Sequence, residues 1–517
     1  MQMRPIRTAL LLALALSPFA CSYRPARFAV DPPVVEVGDT EPIPMPRKLD
    51  PLKEVYYTDA YVRRPIILAM DPETPPDSGD VNALDEVPRS SWFDPPDVRP
   101  DGPPQLPLTP VGPAESGQQG LSVRDARGFR YELRRDAKER PELVSASAAV
   151  ASRLLAKIGY RTPEVHVVTI AASDLKEVGD KPAAEAAADL LREGSPPVGD
   201  RYRVRATRWP IGIDLGPTPA SGVRPGDPND RVPHAERRTL RAIGLALYWM
   251  GLRRLPPYAL RDTYVGDPGK GFLLHYIVAF DDAFGAEAVG REAEARLGGE
   301  GKYLNENAVT ALVTFGLRRR TAPPVQTRWL SLGEFDALAA PEDFSTSPPY
   351  EPMDFARPAD NYWMGKRLAA VPPEAIIAAL AAGHFSDVAA GARAAEVLEI
   401  RRTRAIAWAF AQVTAAEVER VEPARLILRD QANLRKIRGL IADRYLVTFV
   451  DDNGARVAPS ISVTVPDAAV DIPLPPGAPD YMIVRAIAVR ENGRAPRPIE
   501  VHVFKNSEGI RVLGVVH

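Results

Sequence analysis

The chain has 517 residues, of which 45% are hydrophobic and 26% charged, and its 65 basic and 67 acidic side chains leave a formal net charge of -2. That length and apolar content suit two or three domains with cores of their own and exclude a chain disordered throughout. The near-neutral balance supplies no global field for nucleic acid, the single cysteine excludes an internal disulfide framework, and the histidines show no HxxxH or HExxH spacing of a zinc site.

The first elements are those of export. Arg4 and Arg7 form a positive segment, and Ala9 to Leu16 an apolar run too short to span a bilayer but suited to a signal peptide. Ser17-Pro18-Phe19-Ala20-Cys21 resembles a bacterial lipobox, which makes Cys21 the expected lipid-bearing residue and residues 1–21 the expected leader. From 22 to about 120 prolines dominate, which reads as a tether, since proline supplies no backbone donor to a helix or sheet. Within it Trp92-Phe93 would be costly to leave wet and is expected to dock on the domain that follows.

Next come strands at Leu121 to Asp125 and Phe129 to Arg134 about an Arg127-Gly128 turn, a helix from Ser145 to Ile158 and a strand from Val165 to Ile170. An alanine-rich helix is expected at Lys181 to Glu193, a strand at Arg201 to Arg208, and a Gly-, Pro- and Asp-rich loop from Gly212 to His234. A long helix is then expected from His234 to Met250, an irregular segment from Gly251 to Asp262 and a buried strand from Gly271 to Phe280. Helices follow at Ala369 to Ala382, Asp387 to Arg401 and Ala405 to Glu419. After about Val421 the pattern alternates, as in Tyr445-Leu446-Val447-Thr448-Phe449-Val450 before an Asn453-Gly454 turn, and predicts a small all-β domain of sandwich type over 421–517. The oxygen-rich loop Arg224 to Asp230 lacks EF-hand spacing and is better read as Asx turns.

Three stretches carry a family resemblance: Pro233-His234-Ala235-Glu236-Arg237-Arg238-Thr239-Leu240-Arg241, the helix end at Trp249, and His275-Tyr276-Ile277-Val278-Ala279-Phe280-Asp281. Together with the element order they resemble uncharacterised bacterial envelope lipoproteins with a protein-kinase-like domain. The resemblance implies an α+β fold in which a bilobal kinase-like domain spans 121–420, its sheet lobe 121–210 and its helical lobe 211–420. It further implies the parts of phosphoryl transfer: a third-strand lysine, a helical glutamate, a catalytic Asp, an Asn five residues on and a metal-binding Asp. Those positions fall on Arg134, Ala148, Arg254, Ala259 and Ala279. Neither alanine nor arginine can hold Mg²⁺ or orient an acceptor hydroxyl, so the implied member is catalytically degenerate and needs no cofactor.

Two alternatives stay open at these residues. Asp262, Asp281 and Asp282 could take over metal binding and restore an ATP- and Mg²⁺-dependent phosphotransferase, or Arg254 could bind a phosphate or carboxylate without metal. Two plain structural competitors stand beside them: a polar turn after a strand for Asp281 and Asp282, and a solvated charge for Arg254. No GxSxG, GxxxxGK[ST] or GxGxxG opens a helix. The expectation is therefore a non-catalytic binding or scaffolding protein of the bacterial cell envelope, anchored to a membrane through Cys21, with an envelope protein as partner.

Overall fold

The computed structural model describes residues 25, 27–28, 30, 39–50, 89–93, 95, 100–114, 120–220, 222–255, 259–286, 328–335, 337–346, 350–507 and 509–517. Cys21 and the expected leader lie outside the described residues. Two compact units are present, one formed by Val34–Val413 and the other by Thr414–His517 with the segment up to Pro33. Both mix in antiparallel sheets, and no described helix is long and apolar enough to cross a membrane.

In the larger unit, strands β1 (Thr109–Pro113), β2 (Leu121–Arg124), β3 (Arg130–Arg134), β4 (Val165–Ala171) and β5 (Arg201–Arg208) form an antiparallel sheet ordered β1-β2-β3-β5-β4. The β2–β3 turn is closed by Asp125, whose carboxylate accepts the N–H groups of Arg127 and Phe129, both at 2.9 Å. Leu121, Val123, Tyr131, Leu133, Val204 and Ala206 are buried on one face of this sheet. Helix α1 (Leu143–Lys157) carries a run of buried small residues, Ser145 through Ala149, which lets other backbone come close. Its own cap residue, Glu142, is left-handed at φ 72°, so the free N–H groups of Val144 and Ser145 are taken instead by the Asp136 carboxylate at 2.9 and 2.7 Å. Gly159, at φ 115°, ends α1 where any Cβ would come within 2.4 Å of the Phe93 ring. Helix α2 (Lys181–Arg192) starts on Asp180, which accepts from the Ala183 N–H.

A second antiparallel sheet, β6 (Ile213–Pro217), β7 (Leu260–Val265) and β8 (Phe272–Ile277), is followed by helices α4 (Pro358–Ala369), α5 (Pro373–Ala381) and α6 (Val388–Ala411). The long helix expected from His234 is broken into a 3-10 turn at His234–Glu236, one turn at Arg238–Arg241 and an eight-residue helix α3, Ile243–Met250. Arg237 is extended there, and Arg238 and Arg241 both turn to the buried carboxylate of Asp360, at 3.1 and 2.7 Å. Part of the expected irregular segment is β7, and the helix expected over Ala405 to Glu419 stops at Ala411, before β-branched Val413 and Thr414, with a strand taking over at Ala416. Arg401 crosses the helical layer fully buried, donating to the Tyr248 carbonyl at 2.7 Å between the Tyr248 and Phe335 rings.

The described parts of the proline-rich region differ from the expected tether. Ile43, Leu49, Trp92, Phe93 and Leu108 are buried, and β1 itself lies inside that region as an edge strand, where Pro110 and Pro113 cost little. Ile43 bridges to Gly271 and Leu49 donates to the Leu215 carbonyl. Apolar residues spaced among the prolines are what hold these pieces down.

The smaller unit contains a three-stranded sheet, ordered β13 (Ala469–Pro473), β10 (Arg425–Asp430), β9 (Ala416–Glu422). Its five-stranded sheet is ordered β12 (Arg456–Thr464), β11 (Ala442–Val450), β14 (Tyr481–Arg490), β15 (Ile499–Asn506), β16 (Gly509–Val516). Leu426, Leu428, Val470 and Ile472 of the first share one core with Tyr445, Val447, Phe449, Val484 and Val501 of the second. Phe28 lies edge-on to buried His502, ring centroids 4.8 Å apart, and rests on Gly514, where a Cβ would come within 2.4 Å of its ring.

Candidate functional site

In the register of β3 and β5 Arg134 stands directly opposite Arg205, so two guanidinium groups leave neighbouring strands on the same face. Both are almost wholly buried, at 9% and 6% exposure, an arrangement that repels itself unless a negative group intervenes. Asp281, just beyond β8, is that group. Arg134 donates to it at 3.2 Å, and Arg205 donates to both of its carboxylate oxygens. Arg134 also meets Glu132 at 3.4 Å, while the buried Nε of Arg205 makes no hydrogen bond among the described residues. Burial alone would raise the Asp281 carboxyl, but the charges of Arg205 and Arg134, with Arg254 adding, outweigh it and hold the group below its ordinary value.

The chain after Asp281 is fixed by Phe284, which is left-handed at φ 56° yet fully buried, its ring 5.0 Å from that of Phe335. Asp281 and Asp282 thereby face a cavity of about 690 Å³, which Arg134 and Arg205 also line. Val144, Ala186 and Leu190 give it an apolar wall from α1 and α2. A smaller cavity of about 50 Å³ is lined by Arg134, Arg205 and Asp281 together with Glu132, Trp209 and Ala279. The arginine–aspartate cluster is thus common to the walls of both cavities.

The positions mapped from the sequence are placed as follows. Ala148 is buried within α1, Ala259 is buried with its carbonyl accepting from the Val278 N–H at 2.7 Å, and Ala279 lines the small cavity. Arg254 is half-buried, and its charge acts on Asp281. Of the three aspartates considered as substitutes, Asp281 and Asp282 line the large cavity and Asp262 lines neither. Asp262 has no exposed surface: Arg224 meets it at 2.6 Å, His275 at 2.8 Å, and the Thr218 hydroxyl donates to it. Around this group Trp92 stacks on His275 at 3.8 Å, lies edge-on to His234 at 4.7 Å and has the Arg237 guanidinium over its ring at 5.0 Å. His234 and Arg237 in turn meet Asp230 at 2.8 and 2.7 Å. No three His, Cys, Asp or Glu side chains stand close enough to hold a metal ion among the described residues. A magnesium–nucleotide group does not fit Asp281 as it stands, because the Arg134 and Arg205 guanidiniums occupy both of its carboxylate oxygens.

Sequence reasoning missed Arg205 and the meeting of Arg134 with Asp281. One signal was present: Arg201, Arg203 and Arg205 alternate along β5, and alternation puts them on one face. Arg203 on that face holds the Gly383 and His384 carbonyls at 2.7 and 2.8 Å.

No family model matches the chain, and no curated protein matches it. Among solved structures it is similar to one described as the crystal structure of the Golgi casein kinase, at 9% identity and a TM-score of 0.30, covering 72% of this chain and 96% of that one.

Proposed function

We propose that this is a non-catalytic binding or scaffolding protein of the bacterial cell envelope, with a kinase-like unit whose cleft is closed by its own arginine–aspartate cluster. The observation that carries the reading is the pair of buried guanidiniums on Asp281: this carboxylate, which faces the third-strand basic residue, is neutralised by protein cations, where a phosphotransferase needs it free for metal. A five-stranded antiparallel sheet with a helix after its third strand, followed by a mainly helical region, supports the bilobal kinase-like layout, with lobes meeting near residue 210. The shared core of two sheets after Thr414 supports a separate sandwich-like module, of a kind that binds partners. Attachment to a membrane through lipid on Cys21, on the exported side, belongs to the same reading and rests on the lipobox-like run.

Incubation of the purified chain from Ser22 onward with labelled ATP and Mg²⁺ should leave neither the protein nor a generic acceptor protein labelled. In cells, acyl label should enter the full-length chain and be lost in Cys21→Ala. Phosphate transfer abolished by Asp281→Asn would replace this reading with the second one, a phosphotransferase using Asp281 and Asp282. That second reading is favoured by one observation: both carboxylates reach the large cavity beside Arg134.

A further inference from the structure

We infer that Asp281 is a built-in competitor for an anion, and that the Arg134–Arg205 pair beneath it binds a small phosphorylated or carboxylated compound without metal. The inference rests on the non-catalytic reading and names what the cleft takes. Three features carry it. First, the two guanidiniums are buried and side by side, a fork-shaped donor set matched to the planar or tetrahedral oxygens of carboxylate and phosphate. Second, the carboxylate upon them is less enclosed than they are: the Asp281 side chain is 25% exposed, against 11% and 7% for those of Arg134 and Arg205, and it lies on the wall of the cavity. Third, Arg205 keeps a buried Nε–H without a hydrogen bond among the described residues, so the pair holds donor capacity that Asp281 does not use.

An entering anion therefore takes the place of Asp281 on the arginines, and the carboxylate swings into the cavity. No bond is made or broken. Val144, Ala186 and Leu190 favour a ligand with a compact apolar body, and about 690 Å³ accommodates one of ordinary metabolite size. Arg135 and Lys138 line the same cavity with the acidic side chains of Asp136, Glu139, Asp189, Glu193 and Asp282, so the attraction for an anion comes from the Arg134–Arg205 pair itself and not from the lining as a whole.

Calorimetric titration with inorganic phosphate and with pyrophosphate, in EDTA, tests this on the chain from Ser22 onward. The wild type should bind weakly, and Asp281→Asn about tenfold more tightly, the factor by which a latch closed nine-tenths of the time lowers apparent affinity. Arg205→Gln should abolish the binding in the wild-type background, which keeps the test decisive if Asp281→Asn proves poorly folded. Equal, absent or Arg205-independent binding in wild type and Asp281→Asn would overturn the anion site while leaving the non-catalytic reading intact. Binding of ATP that requires Mg²⁺ and disappears in Asp281→Asn would overturn both.

Discussion

Asp262 and Asp281 belong to the same unit, and each is held by arginine, yet their surroundings differ in kind. Asp262 is sealed: Arg224, His275 and Thr218 use its oxygens, Trp92 covers His275, and neither Asp262 nor Arg224 has exposed side-chain surface. Asp281 has two cations beneath it and a cavity in front. The contrast teaches that a buried ion pair marks no function by itself. Removing one partner of a sealed pair strands a charge, whereas the open pair can exchange its carboxylate for another anion.

Asp262→Asn should cost about 4 kcal/mol, because Arg224 would be left buried without its counter-charge, and denaturant unfolding would read it as a lower midpoint with unchanged slope. A loss near zero would mean that water reaches Arg224 and that the two aspartates are alike. Trp92→Ala should cost about 3 kcal/mol through lost packing on His275 and His234. The same change should leave phosphate binding at the other cluster unaltered.

A third test concerns His502, which is fully buried and has no counter-charge among the described residues. His502 in the smaller unit shares a hydrogen bond between its Nδ1 and the Tyr481 hydroxyl, which accepts from the Phe28 N–H, and burial lowers its pKa from 6.5 to about 4. A depressed histidine favours the neutral folded form. Its contribution is therefore full above about pH 6.5 and is lost as pH falls from there toward 4, on the order of 2–3 kcal/mol. Unfolding of the wild type and His502→Gln across that range should show the slope only in the wild type. The smallest effect belongs to the open end, where Asp281→Asn should cost about 2 kcal/mol, less than Asp262→Asn because Glu132 still meets Arg134 and the cavity borders the freed guanidiniums. A cost as large as that of Asp262→Asn would mean that the Asp281 cluster is structural too.

How much of this was legible in the sequence follows the range of the contacts. The strand Arg201–Arg208 and the helix Leu143–Lys157 stood where alternation and i, i+4 spacing put them, because those signals are local. The proline-rich stretch misled, since burial of Ile43, Leu49 and Leu108 depends on surfaces supplied by residues far along the chain. The helix expected from His234 was broken by a distant partner, Asp360, which draws Arg238 and Arg241. At the site, the sequence singles out Arg134 and Asp281 separately and puts the metal position on Ala279. Arg134 and Asp281 are 147 positions apart, and only the folded register of β3, β5 and the end of β8 brings them together.

The most direct measurement is thermal unfolding of the chain from Ser22 onward with saturating ATP, with and without Mg²⁺. Ligand at a hundredfold its dissociation constant adds about 2.7 kcal/mol to a folded state it binds, enough to move the transition by a few degrees. A cleft closed by Arg134, Arg205 and Asp281 predicts no Mg²⁺-dependent increment. An increment that requires Mg²⁺ and vanishes in the Asp281→Ala, Asp282→Ala double variant would contradict it and make the unit a working phosphotransferase cleft.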